Sequence, residues 1–221
     1  MIENINKAQL IELKSRPIWN LGNDVLYRLC KDYPEHKSPA VIVAKVWLIG
    51  RAYAAAIERR KNKDEGNDNF YESKVVSEMQ KPSLDQNLER ISKFNEITPQ
   101  NISVILETHK HLTDIFKQIS EIEKRSLASK YLHFHFPNLF FLYDSRAVKS
   151  SRMLLPQFKA EISIQNVDNE YRNYFLRLYH LRDFIYKRDD LLLSPREIDN
   201  ILINIQSYQW IQLIADKSGS G

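Results

Sequence analysis

Two side chains in this sequence stand where their types and neighbours suit amine-nucleophile chemistry, Lys130 and Asp144. Lys130 lies in the run Ser126-Leu127-Ala128-Ser129-Lys130-Tyr131-Leu132-His133-Phe134. A lysine on such an apolar, aromatic wall loses hydration, which disfavours its ammonium and leaves an amine able to attack carbon. Asp144 follows the apolar stretch Leu139 to Tyr143 and opens the next helical segment. At that N-cap position backbone N–H groups favour the ionised carboxylate. An amine and a carboxylate facing one cleft are the ingredients of covalent catalysis through a lysine.

The elements that must position them are helical. The run reads as a tight turn of small residues, Ser126 to Ser129, then a helix carrying Lys130, a Pro137-Asn138 break and a helix from Asp144. Ser38-Pro39, Thr98-Pro99 and Ser194-Pro195 each set a capping hydroxyl before a proline at the first helical position. Glu197 completes a capping box with Ser194. Apolar residues recur at three and four along Val43, Val46, Trp47, Gly50, Tyr53, Ala54 and Ile57. A second stripe is Ile102, Ile105, Leu106, His109, Leu112 and Phe116, and a third is Ile198, Ile201, Leu202, Ile205, Tyr208 and Leu213. Tyr171 to Tyr186 adds a helix rich in aromatics.

No sustained period-two alternation appears, so a sheet is not expected. The predicted fold class is all-α, with eight to ten helices near 3–14, 20–32, 39–62, 68–80, 84–94, 99–119, 123–134, 144–155, 168–188 and 195–214. The stretches Asn62 to Asn69 and Gln157 to Asp168 read as connections. Residues 1–217 form one all-helical domain, with room for two closely packed lobes and a cleft between them; Ser218 to Gly221 read as a tail.

Composition excludes several classes. The chain has 221 residues, 43% hydrophobic and 27% charged, enough apolar material for a core. Its single cysteine, Cys30, forms no internal disulfide and no zinc-holding pair. Outside the tail only Gly22, Gly50 and Gly66 remain, so there is no Gly-rich phosphate loop. The N-terminus lacks a basic region followed by an apolar run, and Lys45 and Arg51 interrupt the most apolar stretch. A bacterial-type cytoplasmic protein with no membrane span is expected. His133-x-His135 and His109-x-His111 point apart on a helix, so no metal site and no cofactor are predicted.

Charge is uneven. Between Lys124 and Arg152 six basic residues stand against Asp144 alone, a net +5 in a chain whose total is +4. They interleave with Tyr131, Phe134, Phe136, Phe140, Phe141 and Tyr143, the composition of a nucleic-acid surface or of an ordinary helical core. Arg59, Arg60, Lys61 and Lys63 form a second cluster, at a helix end whose dipole favours them.

The segment from Lys124 to Val148 resembles the hairpin region of the helix-hairpin-helix DNA glycosylase superfamily, which includes the 8-oxoguanine glycosylases. Ser126-Leu127-Ala128-Ser129-Lys130 stands where that family has Gly-Val-Gly-x-Lys. Phe140-Phe141-Leu142-Tyr143-Asp144-Ser145-Arg146-Ala147 stands where it has Phe-Pro-Val-Asp-Thr-His-Val. Both hairpin glycines are replaced, and the Lys-to-Asp spacing of 14 residues is shorter than is usual there. The resemblance implies a two-lobed helical bundle and a flipped base as substrate. It implies that Lys130 attacks the sugar C1′ to give a Schiff base, with optional strand cleavage, and that Asp144 stabilises the oxocarbenium-like centre. Around these, Ser126, Ala128, Ser129, His133, Tyr143, Ser145, Arg146 and Lys149 are the expected substrate and DNA contacts. Trp47 and Arg51, with Tyr53, are a second choice of base-pocket lining. His133 also reads as a satisfied, partly buried histidine, and Arg51 with Glu58 as a surface ion pair.

The expected function is therefore N-glycosidic cleavage at a modified purine in DNA repair. The alternative is a catalytically inactive module that binds nucleic acid or a nucleotide, of the kind that would serve in bacterial phage defence. A helical protein-interaction domain without a pocket is a third reading.

Overall fold

A computed structural model describes residues 1–58, 67–160 and 164–206 of the chain. The protein is all-α, and no strand occurs among the described residues. Among the described residues ten helices follow a short 3-10 turn, Ile2–Asn4. They are α1 (Lys7–Leu13), α2 (Pro17–Asp32), α3 (Pro39–Ala52), α4, α5 (Pro82–Ile91), α6 (Ile102–Ser120), α7 (Arg125–His135), α8 (Ser145–Leu154), α9 (Asn169–Asp189) and α10 (Pro195–Asn204). Helix α4 joins Asn67–Phe70, a π-helical Tyr71–Val76 and Ser77–Met79. No described helix is long and apolar enough to cross a membrane.

Local chemistry fixes most ends. Ser194 and Glu197 form the expected reciprocal cap of α10. Ser194→Ala removes it and should cost about 1 kcal/mol, read from the denaturant midpoint. Asn6 and Gln9 build a second capping box at α1, so that helix starts later than predicted. Pro39 opens α3 as expected, although Ser38 makes no side-chain cap bond. Thr98-Pro99 does not open α6. Pro99 lies in a turn in which Asn101 Oδ1 accepts the Thr98 N–H at 2.9 Å, and the helix begins at Ile102. Helix α3 ends at Ala52 rather than 62, because the chain turns back at Ala54, whose φ is +51°. The basic cluster at Arg59 to Lys63, most of the Asn62–Asn69 connection, Tyr208, Trp210, Leu213 and the tail lie outside the described residues.

The chain packs as two compact units. One comprises Trp19–Phe140 with Asn166–Asp168. Its core is the α6 stripe: Ile102, Ile105, Leu106, His109, Leu112 and Phe116 are all buried, as their spacing predicts. Helix α6 packs on α5 and α7, and α3 on α7. Each large apolar side chain so buried contributes about 1.5–3 kcal/mol before entropy is counted.

The other unit comprises Met1–Ile18, Phe141–Gln165 and the chain from Asn169. Here α8 packs on α9 and α10, and α1 on α10. The aromatic character of α9 has a local reason. Residues Phe141 and Leu142 are not helical, so their carbonyls lack helical partners. The Tyr171 hydroxyl donates to Phe141 O at 2.9 Å and the Tyr174 hydroxyl to Leu142 O at 2.7 Å. Buried carbonyls are thereby satisfied at the approach to Asp144.

Candidate functional site

Helix α6 ends at Glu121, which takes the left-handed conformation (φ 61°) and returns its N–H to Lys117 O at 2.8 Å. The turn is therefore 121–124, and α7 starts at Arg125. This corrects the expected turn at Ser126 to Ser129, which lies inside α7. No glycine or proline interrupts Ser-Leu-Ala-Ser, and leucine and alanine favour helix. The lost hairpin glycines therefore carry no conformational cost here. The Ala128 N–H is spent on Lys124 O at 2.9 Å and is not available to grip a phosphate. Ala128 and Ser129 are fully buried.

Lys130 is 2% exposed. Its Nζ donates to Ser126 Oγ, one turn earlier, at 2.7 Å, and lies 5.8 Å from the centroid of the Tyr53 ring. The desolvated, aromatic setting expected for this amine is present. Tyr53 comes from the C-terminal turn of α3; its hydroxyl donates to Asn23 Oδ1 and its ring meets Phe134 edge-on. His133, one turn beyond Lys130, is fully buried. Its Nδ1 is 2.8 Å from Phe140 O, which requires an N–H there, so Nε2 accepts from the Tyr27 hydroxyl at 2.6 Å. It is a satisfied histidine.

Ser126, the acceptor for Lys130, also lines a cavity of about 370 Å³. Ala54, Ala55 and Ala56 form the facing wall, the turn Ile122 to Lys124 one side, and Leu127 of α7 the other. Three consecutive alanines thus build this wall. A Cβ on Gly50 would stand 3.1 Å from Ala56 Cα, so glycine lets the chain fold back on α3, with Ala55 N–H donating to Gly50 O at 2.7 Å. Lys124 Nζ ties the turn to α7 by donating to Ala56 O at 3.1 Å. Gly50→Val should overpack this turn and cost about 2 kcal/mol, measured by urea unfolding.

Trp47 and Arg51 do not line that cavity. Both are exposed; the guanidinium stacks 5.1 Å from the Trp47 ring and donates to Glu58 Oε1 at 2.6 Å. Glu58 Oε2 accepts from Tyr71, which completes the surface pairing.

Asp144 belongs to the other unit. It caps α8: Oδ1 accepts the Ala147 N–H at 2.9 Å, as its position predicts. Tyr143 packs edge-on against Tyr174 at 5.2 Å. Burial first, then the carboxylates of Asp199 and Asp144, push the Tyr174 phenol well above its usual range, so it remains a donor. Ser145, Arg146 and Lys149 are exposed on α8. Lys130 and Asp144 are thus each positioned within their own unit.

The interleaved aromatics divide. Tyr131, Phe134, Phe140 and Phe141 are core, and only Phe136 and Tyr143 are partly exposed. The sequence reading missed Asn23 and Tyr27, whose spacing of four on α2 is their one local signal. Among the described residues no three His, Cys, Asp or Glu side chains converge to hold a metal. Comparison of the chain with protein-family models, curated proteins and solved structures gives no match.

Proposed function

We propose that this protein handles a nucleobase in DNA as a glycosylase of the helix-hairpin-helix type, with Lys130 as its amine nucleophile. The observation that carries this reading is the placement of Lys130: a nearly fully buried amine, on an aromatic ring, hydrogen-bonded to a serine that opens onto a cavity. In the reaction so assigned, the neutral amine attacks C1′ of a flipped nucleotide. The C1′–Nζ bond forms as the glycosidic C–N bond breaks, and the departing purine leaves with a proton. Opening of the sugar then gives the imine that permits strand cleavage. Ser126 holds and orients Nζ.

The test is borohydride trapping on duplexes carrying 8-oxoguanine, hypoxanthine or an abasic site, with base release followed in parallel. A covalent adduct that disappears in Lys130→Ala is expected. If neither adduct nor released base is found on any duplex, or if the adduct persists in Lys130→Ala, the catalytic assignment is wrong.

One observation favours a second reading. At 2% exposure Lys130 is closed to substrate in this conformation. A binding module without catalysis would retain DNA affinity that falls steeply with salt and is unchanged by Lys130→Ala.

A further inference from the structure

A second cavity, of about 960 Å³, opens in the same unit and shares no lining residue with the one beside Ser126. Pro34, Pro82, Leu88 and Phe136 give it an apolar wall. Cys30, His36, Asp85 and His135 supply polar groups.

The polar groups are ordered by hydrogen bonds. His36 Nδ1 lies 2.6 Å from Asp85 Oδ1, and the His36 backbone N–H donates to Oδ2 at 3.2 Å. His36 Nε2 lies 2.6 Å from the hydroxyl of Tyr131. Burial lowers the His36 pKa and raises that of Tyr131 well above its usual range. His36 is therefore neutral, donating from Nδ1 to the carboxylate and accepting the phenol proton at Nε2. Both carboxylate oxygens of Asp85 are thereby engaged with His36.

Lys45 stands directly behind this wall. It is fully buried, and its Nζ reaches one acceptor, the carbonyl of the lining residue Glu35, at 3.4 Å. Among the described residues no carboxylate lies within ion-pair distance of it. Burial pulls its pKa down to about 8, which still leaves it largely cationic at neutral pH. Its charge also helps, after burial, to hold His135 well below the usual histidine range. His135 stacks on Tyr131 and on His36, with centroids 5.0 and 5.7 Å apart, and its buried Nε2 has no partner.

A buried cation with a single long hydrogen bond, beside an orphaned ring nitrogen, is costly unless a ligand completes it. We propose that this cavity is a second site, which binds a small carboxylate with a flat apolar body and uses the Lys45 ammonium as buried counter-charge. A carboxylate fits better than a phosphate group, because one buried cation balances one charge. The lining sets Glu35, Asp85 and Glu89 against Lys31 and Lys37, which leaves no net positive charge to attract a polyanion, so nucleic acid is not the occupant. The apolar body lies against Pro34, Pro82, Leu88 and Phe136, while the flexible lysine stem carries Nζ from the Glu35 carbonyl to the ligand.

The probes are benzoate and 2-naphthoate, each paired with its uncharged carboxamide, titrated calorimetrically into the full chain. Both acids should bind at least tenfold tighter than their amides, and Lys45→Met should reduce acid binding to the level of the amide. Should Lys45→Met fail to fold, Lys45→Gln serves in its place. The His135 ring nitrogens, followed by NMR in the unaltered protein, should shift with naphthoate and not with naphthamide. Equal affinity for acid and amide, undiminished acid binding without the Lys45 amine, or no acid binding at millimolar concentration would each overturn the site.

Discussion

Acidification from pH 7 to 5 should destabilise the protein by several kcal/mol, in a range where most carboxylates do not titrate. Four histidines are held neutral by burial: His36, His109, His111 and His135 all have lowered pKa values, with desolvation the leading cause at each. His109 is the extreme case, lowered from 6.5 to about 3. It is fully buried on α6, with Nε2 3.3 Å from the carbonyl of Arg125. Below pH 6.5 the unfolded chain takes up protons that the folded chain refuses. The stability these rings contribute is therefore complete above that pH and is lost as pH falls toward their folded values. At pH 5 a ring so strongly shifted costs about 2 kcal/mol, and half-buried His111 costs less. Urea midpoints at pH 7.0, 6.0 and 5.0 should fall steadily, and His109→Gln should flatten part of the slope. A midpoint constant across this range would show that the rings accept protons without unfolding.

Asp168→Ala should cost about 3 kcal/mol, because it strips a buried partner from the residue that opens α7. Asp168 is 7% exposed, and its two oxygens accept from Arg125 Nε at 2.8 and 2.7 Å. Arg125 is the first residue of the helix that carries Lys130, so the pair fixes where that helix begins. Replacing both partners together, as Arg125→Met with Asp168→Leu, should recover much of the loss, since an apolar pair leaves no unmatched charge. Chemical denaturation of the two variants measures both effects. Equal loss in the single and double variants would mean that packing at this point, rather than charge, holds the start of α7.

The sequence by itself determined the features that depend on near neighbours. Helical periodicity placed the core stripe of α6, because residues three and four apart share a face. Ser194 with Glu197, and Asp144 at the start of α8, were legible because a cap bonds to backbone within the next turn. The apolar neighbours of Lys130 were legible too, but the ring its Nζ meets, Tyr53, comes from α3 and not from the residues beside it. The turn before α7 was misplaced because the family pattern puts glycines where this chain has good helix formers.

The tertiary structure alone decided which polar groups are satisfied and by whom. Tyr27 meets His133 across 106 residues, and His36 bonds Asp85 across 49 and Tyr131 across 95. No local pattern encodes such pairs, because they form only after helices distant in the chain have packed. The same holds for Lys45, which in the sequence merely interrupts an apolar stretch. Packing turned it into a fully buried ammonium, since water is excluded by surfaces that meet in space and not by neighbours along the chain.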